Sequence, residues 1–352
     1  MVLRGHRSGG WPRVTMADVA REANVSNASV SRYLDGVVPV SEATRAAIVT
    51  AIEKTGYIRN DAARQLAKTT SDTVGLLLRD PRNPAYGAMH AELQARTAQR
   101  RLQLLTVASP LDFPEADERA GLRRLLQNRV GGMLIATGVI APEELVPFVS
   151  AVPTVVLGRP EEHPALHAVC YDEVANGRLI ADQVLALGHR DVAVVVPGRQ
   201  VSVAEHLRST VIVERLRAGG AHAVTVPTDH SVRYPADRST SEVVKLARAG
   251  RVSAVMLPTD MRLLAFLGEA QQAGVRVPED VSATGIDGLL PGLELLGLAT
   301  VRLPVETLTR RGMDVLTDLM TAELISEHPH TAHHEAHPGD FRPGRTLQPN
   351  RS

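Results

Sequence analysis

The sequence predicts an N-terminal all-α helix-turn-helix domain followed by an α/β core of two doubly wound parallel-sheet lobes. Three helical patterns with N-capping residues lie within residues 14–56. From Thr73 onward, apolar runs alternate with helical stretches, and continuous apolar runs are typical of parallel strands buried on both faces. The chain has 352 residues, of which 44% are hydrophobic, so its length and composition suit two or three domains with real cores.

The first two predicted helices are short and are joined by a tight turn. Thr15 lies three residues before Asp18, a capping-box pattern that starts the first helix. A break at residues 24–25 leads to Ser26, a good N-cap, and the second helix is predicted to run to Leu34. On a helical wheel of about 100° per residue, the small polar face of this second helix consists of Asn27, Ala28, Ser31 and Arg32.

This second helix has the composition that reading a DNA major groove requires. Arg contacts guanine O6 and N7 bidentately, Asn does the same at adenine, and a small Ala allows close approach to a thymine methyl group. An ordinary helical hairpin inside a larger core has the same pattern. The two helices alone therefore leave both interpretations open.

A third helix completes a basic N-terminal domain. It is predicted from the N-cap Ser41 to the C′ residue Gly56, with Ile48, Ala51 and Ile52 at helical spacing, and it can cover the first two helices. The formal net charge of the whole chain is zero, yet residues 1–70 hold ten Lys and Arg against six Asp and Glu. This end of the chain is therefore the candidate nucleic-acid face.

Four ordered segments resemble the N-terminal third of the lac repressor/galactose repressor family of transcription regulators: DVAREANVSNASVSRYLDG, VSEATRAAI, GYIRNDAARQLA and TVGLLL. The resemblance implies a hinge helix that orders when two subunits sit side by side on an operator, with Leu66 inserted into the minor groove to bend the duplex. A plain linker is the alternative, because about nine residues are too few for a stable isolated helix. The predicted DNA-binding residues are Thr15, Ser26, Asn27, Ala28, Ser31, Arg32, Tyr57, Asn60, Ala63 and Leu66.

The remaining chain has about ten apolar strand runs, more than one sheet comfortably holds, so two lobes are expected. The resemblance implies lobes like those of a periplasmic sugar-binding protein, with chain crossings near Asp172, Leu303 and His330. The predicted domains are a disordered tail at 1–12, the helix-turn-helix domain at 13–59, the hinge at 60–70, an N-terminal lobe at 71–172 and 303–330, and a C-terminal lobe at 173–302 and 331–347.

Ligands of such sheets bind beyond the carboxyl ends of the strands, where two facing lobes form a cleft. Polar residues that follow the strand runs are therefore candidate effector contacts, since Arg and Asp grip hydroxyls or carboxylates and Tyr stacks on a ring. For any one of them a structural ion pair in a loop explains the residue equally well, and only the set favours a site. The candidate effector-binding residues are Asn83, Tyr86, Arg159, Arg208, Thr259, Asp260 and Asp287.

Departures from the family pattern weaken a sugar-binding interpretation. Gly158 stands where the family usually has an acidic residue, residues 211–212 replace a glycine and an aromatic residue, and Leu303 stands where Gln is common. The chain also holds only four Phe, five Tyr and one Trp, too few for a cleft rich in carbohydrate stacking. The effector class therefore stays open between a sugar, another small molecule and no ligand at all.

Other chemical signals in the sequence are weak. The histidines of residues 328–337 include pairs four apart, which would suit a metal on a helix, but Pro329 and Pro338 favour a loop. Metal binding by this segment is left open, and neither a metal nor a cofactor is predicted. The sequence has no G-x-S-x-G motif, no Walker loop and no G-x-G-x-x-G after a strand, so no enzyme is predicted. The single cysteine, Cys170, excludes an internal disulfide framework and is expected to be a buried structural thiol.

The predicted function is a cytoplasmic, sequence-specific DNA-binding transcriptional regulator, with repression as the expected direction. Its expected partners are a pseudo-palindromic double-stranded DNA operator, a small-molecule effector that a sugar would suit, and a second copy of the chain, with higher oligomers left open. No membrane partner is expected, because no apolar stretch of about 18 residues occurs. Two alternatives remain: a DNA-binding regulator that responds to no small ligand, and a solute-binding receptor tethered by its first 70 residues.

Overall fold

The structure is a computed structural model that describes residues 14–35, 39–58, 71–108, 116–228, 238–322 and 331–350. The chain divides into two compact units, Met1–Thr70 and Ser71–Ser352. The described residues of the first unit form three helices: α1 (Met16–Glu22), α2 (Asn27–Asp35) and α3 (Glu42–Thr55).

The predicted capping residues set the ends of these three helices. The Thr15 side chain accepts a hydrogen bond from the backbone N–H of Asp18 at 3.3 Å, and the Asp18 carboxylate accepts one from the backbone N–H of Thr15 at 2.9 Å, so the capping box is confirmed. Ser26 Oγ accepts from the backbone N–H of Ser29 at 3.1 Å at the start of α2. Gly56 ends α3 in the left-handed conformation, with φ of 66°, as glycine after a helix commonly does.

A small apolar core holds the three helices together. Val30 is the buried residue of α2, and Tyr33 and Leu34 are half-buried against the core, so α2 packs with the side opposite its predicted polar face. The buried members of this core are Val19, Ala20, Ala23, Val30, Ile48 and Ala51.

The second unit alternates strands with helices. Its strands are β1 (Thr73–Leu78), β2 (Gln103–Ala108), β3 (Gly132–Ala136), β4 (Thr154–Leu157), β5 (His167–Tyr171), β6 (Asp191–Val196), β7 (His222–Pro227), β8 (Ala254–Met256), β9 (Ser282–Asp287), β10 (Ala299–Arg302), β11 (His334–His337) and β12 (Asp340–Arg342). Its helices are α4 (Pro84–Gln99), α5 (Ala116–Gln127), α6 (Pro142–Val149), α7 (Glu173–Ala186), α8 (Val203–Ala218), α9 (Ser239–Arg248), α10 (Asp260–Gln272), α11 (Leu293–Leu296) and α12 (Val305–Ala322).

These strands form two six-stranded sheets of matching order. The first sheet runs β11-β5-β4-β3-β1-β2 and the second β12-β10-β9-β8-β6-β7. All pairs are parallel except β10 with β12. All ten apolar runs are strands, and inner strands such as β1 and β3 are buried along their whole length, as expected for strands covered on both faces. The predicted two-sheet α/β core is confirmed.

The crossings between the two sheets follow from strand membership. The chain leaves the first sheet after Tyr171 and returns to that lobe after Arg302, because α12 packs against β3, β4 and β5. The third crossing was predicted near His330, but the structure places it further along the chain. His334–His337 pairs with β5 and Asp340–Arg342 pairs with β10, so the chain crosses at residues 338–339.

The histidine segment also differs from the predicted loop, because residues 334–337 form the edge strand β11. Glu335 is central here: its carboxylate accepts from Arg311 Nη2 at 2.8 Å and lies 2.9 Å from His333 Nε2. These partners hold the pKa of Glu335 down at about 2, chiefly through the Arg311 hydrogen bond. Residues 323–330 lie outside the described ranges, and within those ranges no cluster of His, Cys, Asp and Glu could hold a metal ion.

Cys170 lies on β5 and is half-buried, whereas the sequence predicts a buried thiol. Desolvation, together with the charges of Glu173 and Asp172, raises the pKa of its thiol to about 12. The thiol is therefore protonated and poorly reactive at neutral pH. None of the helices in the described part of the chain is long and apolar enough to cross a membrane.

Candidate DNA-reading face and effector cavity

The outer face of α2 presents most of the residues that the sequence assigns to base reading. Asn27, Ala28 and Arg32 are exposed, while Val30 on the opposite side is fully buried. Ser31 is half-buried and its hydroxyl donates to Asp35 Oδ2 at 3.0 Å. The helix is therefore anchored by one side and displays a short polar surface on the other.

Arg32 lies along its own helix, because its Nε donates to the backbone carbonyl of Ala28 at 3.2 Å. Within the described ranges, its two terminal nitrogens make no hydrogen bond, which leaves a pair of donors for a base edge. Tyr57 is half-buried against the three-helix core, so part of this predicted DNA contact serves packing. Asn60, Ala63 and Leu66, like the predicted tail at 1–12, lie outside the described residues.

The second unit contains a cavity of about 550 Å³, a volume that includes its open mouth. It is lined by residues that follow strands of both sheets, at the carboxyl ends where parallel-sheet proteins bind ligands. Six of the seven candidate effector contacts line it: Asn83, Tyr86, Arg159, Arg208, Thr259 and Asp287.

Arg208 is the central cation of the cavity. It is 2% exposed, its Nη1 donates to Glu173 Oε2 at 2.7 Å, and its Nη2 donates to the Pro258 carbonyl at 2.7 Å. Burial raises the pKa of Glu173 despite the opposing effect of Arg208. The pair is therefore buried and mutually dependent, and only Nε of the guanidinium is without a hydrogen-bond partner among the described residues.

Arg159 is less available to a ligand than the sequence suggests. Its Nη2 donates to Glu161 Oε2 at 2.7 Å and its Nη1 to the carbonyl of Ile140, and both charged side chains are buried. The sequence left open whether each candidate is a ligand contact or a loop ion pair. For Arg159 the ion pair is present, and the side chain nevertheless borders the cavity.

Asp260 does not line the cavity, although the sequence places it among the effector contacts. Its Oδ1 accepts from Thr300 Oγ1 at 2.7 Å and its Oδ2 from the backbone N–H of Gly288 at 2.7 Å. Asp260 thus braces the turn after β9. That turn sets Asp287 at the cavity, with a backbone φ of 127° that is rare for a residue other than glycine.

The turn needs glycine at its next position. Gly288 has φ of 67°, and a Cβ there would lie 2.4 Å from the Cα of Arg302. Burial, and next the neighbouring charge of Asp260, raise the pKa of the Asp287 carboxyl well above its usual range. A buried carboxyl held in this way either takes up a proton or requires a donor from a ligand.

Sequence reasoning missed several cavity residues, among which Tyr171, Glu173 and Glu205 matter most for binding chemistry. Tyr171 ends β5 and Glu173 follows it at the start of α7, so the rule of looking just beyond strand ends applied to them too. Tyr171 joins Tyr86 in the cavity, so two of the five tyrosines of the chain meet there. The small number of aromatic residues therefore does not prevent a ring-stacking surface.

Two family models match this chain. The model of bacterial regulatory proteins of the lacI family matches residues 15–60, and that of the periplasmic binding protein-like domain matches residues 181–344. The first covers the three helices of the first unit, Met1–Thr70, which is called the DNA-reading unit below. The second covers most of the second lobe.

Similar proteins extend along nearly the whole chain. The HTH-type transcriptional regulator DegA of Bacillus subtilis is 24% identical and covers 84% of this chain and 88% of its own length. GalR of Escherichia coli is 27% identical and covers 89% of this chain and 91% of its own length. CelR of Thermobifida fusca is 29% identical, with shares of 88% and 93%.

Solved structures share the fold. The lac repressor dimer bound to operator and the anti-inducer ONPF aligns with a TM-score of 0.78 at 22% identity, covering 95% of this chain and 99% of that one. A complex of the transcriptional regulator CelR with cellobiose aligns at 0.65 and 24% identity, covering 95% and 100%. The family models, the full-length relatives and the fold agree: this chain joins a DNA-binding domain of the lacI family to a periplasmic binding protein-like domain, and its relatives are HTH-type transcriptional regulators.

Proposed function

We propose that this regulator binds a pseudo-palindromic DNA operator as a homodimer and that a small molecule in the cavity of the second unit changes its affinity for DNA. The main support is the exposed face of α2, which presents Asn27, Ala28 and Arg32. Val30, on the opposite side of the same helix, is buried and holds the helix in place. The three exposed residues are of the side-chain types that read adenine, thymine and guanine in the major groove. A symmetric dimer presents two such helices to two half-sites.

The relatives support the remaining parts of this proposal. The lac repressor was solved as a dimer with its operator and an anti-inducer, and also with ONPG in a repressed state, while CelR was solved with cellobiose. By analogy, we propose that this chain is a repressor controlled by a small effector, and a sugar is one candidate class of effector. Binding two half-sites requires at least a dimer.

Coupling between ligand and DNA has a physical route in the second unit. The cavity takes residues from both lobes, for example Asn83 of the first lobe and Asp287 of the second, so an occupant biases the angle between the lobes. The segment at residues 60–70 lies between the three helices and this second unit along the chain. We propose that this segment transmits the change as the hinge of the predicted type.

The same proposal places the protein in the cytoplasm, because a regulator of bacterial genes acts where the chromosome lies. It also assigns binding without catalysis to the cavity. The relatives are regulators, and the central carboxylate Glu173 is engaged by Arg208.

Replacing Arg32 with alanine tests DNA reading directly. We expect operator binding to weaken by about 1 to 3 kcal/mol and the preference at one base position to be lost, since a bidentate arginine contact reads one guanine. The measurement is a fluorescence titration of the purified full-length chain against an operator selected from a random pool and against its single-base variants.

Arg248→Ala is the matched control, because Arg248 is an exposed arginine on α9 in the second unit and its replacement removes the same charge. The control should leave both affinity and base preference unchanged. An equal loss for Arg32→Ala on every DNA sequence would make Arg32 a phosphate contact. Failure of the unaltered protein to select any sequence would contradict the DNA-reading function itself.

A further inference from the structure

The charges around the cavity do not balance. Its lining includes three carboxyl groups, from Glu173, Glu205 and Asp287, and two guanidinium groups, from Arg159 and Arg208. Arg159 is already paired with Glu161, which lies outside the lining, and Arg208 is paired with Glu173. Among the described residues, Glu205 and Asp287 line the cavity but form an ion pair with neither of these two guanidinium groups.

One further cation lies nearby but does not remove this surplus. Arg79 is half-buried, and its Nη1 lies 3.1 Å from the position that a Cβ on Gly138 would take. Asp260 lies behind Asp287 and adds its own negative charge to that side. With Arg79 counted, three guanidinium groups face the three lining carboxyls, but Arg159 is paired with Glu161 outside the lining and Arg208 with Glu173. Among the described residues, Glu205, Asp287 and Asp260 therefore outnumber the remaining cation, Arg79.

Helix N-termini attract anions, because the first turn of a helix is electropositive, and several of them lie at the cavity. Ser202 caps α8 and Thr259 caps α10, and both line the cavity. However, α7, α8 and α10 each carry a carboxylate of their own in the first turn, namely Glu173, Glu205 and Asp260. The positive ends of these three helices are therefore already compensated from within the chain, whereas α4, capped by the cavity residue Asn83, has no acidic residue in its first turn.

An aromatic surface lies in the same cavity. Tyr86, Tyr171 and Met89 line it, and the ring of Tyr171 and the Met89 methyl lie 3.5 and 3.6 Å from the Cβ position of Gly158. Tyrosine faces attract cations as well as stacking on rings. Tyr171 is only 6% exposed, and its hydroxyl has no hydrogen-bond partner among the described residues. The buried Thr137 hydroxyl has none there either.

We propose that the effector is a cation: a small molecule whose ring packs on Tyr86 and Tyr171 and whose ammonium group lies against Glu205 and Asp287. This inference rests on the proposed effector function and names the chemical class of its ligand. An anionic ligand would place a further negative group beside the carboxyls of the half-buried Glu205 and the buried Asp287, which is costly at low dielectric. Burial and the charge of Asp260 raise the pKa of Asp287, and an ammonium group beside this carboxyl would favour its charged form.

Two matched sets of probe compounds test the proposal and separate two sources of the same chemistry. One set is benzylamine, benzyl alcohol and benzoate, and the other is glucosamine, glucose and glucuronate. Each set keeps its ring and changes the charge from positive to neutral to negative. Binding of each compound to the full-length protein is measured by calorimetry at neutral pH, without DNA, up to millimolar concentration.

In at least one set, we expect the amine to bind at least about tenfold more tightly than its neutral partner, and the acid not to bind. The set that binds tells whether the ring is aromatic or a sugar. Equal binding of amine and alcohol, tighter binding of the acid, or no binding of either amine would overturn the proposal. Operator binding by the same preparation shows that these failures leave the regulator function standing.

Variants of Glu205 and Asp287 check the site. Asp287→Asn keeps the shape and suits a positive φ, and Glu205→Gln alters a half-buried residue, so both variants should fold. Each should weaken amine binding about tenfold or more while leaving the neutral compound unaffected. Glu242→Gln, on the exposed surface of α9, is the matched control and should change neither. Unaltered amine affinity in both cavity variants would place the cation elsewhere.

Discussion

Replacing Arg208 with leucine is expected to lower the free energy of unfolding by about 3 to 5 kcal/mol, because the change strands a buried carboxylate. Glu173 is 2% exposed and loses the guanidinium that donates to it at 2.7 Å, and the Pro258 carbonyl loses its donor as well. Denaturant unfolding of the full-length chain, followed through the transition of its second unit, measures the loss. A loss below about 1 kcal/mol would show that the pair is not the buried contact described here.

The double variant Glu173→Leu with Arg208→Leu separates a stranded charge from lost packing. Replacing both partners of a buried ion pair with apolar residues is often nearly neutral, so the double variant should be more stable than Arg208→Leu alone. If the double variant is instead less stable than the single one, the stranded charge is not the cause.

Acid should partly rescue the single variant. Burial raises the pKa of folded Glu173 above its ordinary value of 4.5, and loss of Arg208 removes the charge that opposes this rise. A carboxyl whose folded pKa is raised destabilises the fold as the pH increases through that range and not below it. The stability deficit of Arg208→Leu should therefore be smallest below about pH 4.5 and grow toward neutral pH.

Replacing Ile48 with alanine should unfold the DNA-reading unit. Ile48 is fully buried in a core of six buried residues, and a buried Ile→Ala change costs about 2 to 5 kcal/mol. A core of this size rarely supplies more than about 3 to 5 kcal/mol in total. Operator binding should therefore be abolished, while calorimetric ligand binding by the second unit is retained.

Ile58→Ala is the matched control for that variant, because the Ile58 side chain is 86% exposed. The same chemical deletion there should leave thermal unfolding of the first unit unchanged. Differential scanning calorimetry on the full-length chain resolves the two cases. An Ile48→Ala protein that keeps its first-unit transition and its operator affinity would show that the helices do not depend on this core.

Local signals in the sequence were sufficient for the elements that build both units. Thr15, Ser26 and Gly56 act on neighbouring backbone groups, so their roles could be predicted without a fold. The ten apolar strands were equally accessible, because parallel strands covered on both faces, as the inner ones are, require long apolar runs. The edge strands β11 and β12, HEAH and DFR, are short and polar, and only their pairing with β5 and β10 reveals them.

The cavity was predictable in outline but not in its charge. Strand ends pointed to Tyr86, Arg208 and Asp287, which do line it. The engagement of Arg208 by Glu173 joins residues 35 positions apart, and Asp260 proved to brace a turn through Thr300 and Gly288. Such contacts depend on helix packing and on the register of β9 and β10. The surplus of carboxylates therefore became visible only in the folded unit.

The central claim is that occupancy of the cavity controls binding to DNA. Its most direct test is an operator titration with the full-length protein, with and without a saturating concentration of the tightest-binding compound from the two probe sets. We predict that the compound shifts operator affinity by at least about tenfold, which corresponds to about 1.4 kcal/mol of coupling free energy. Tight operator binding that saturating ligand leaves unchanged would contradict ligand control.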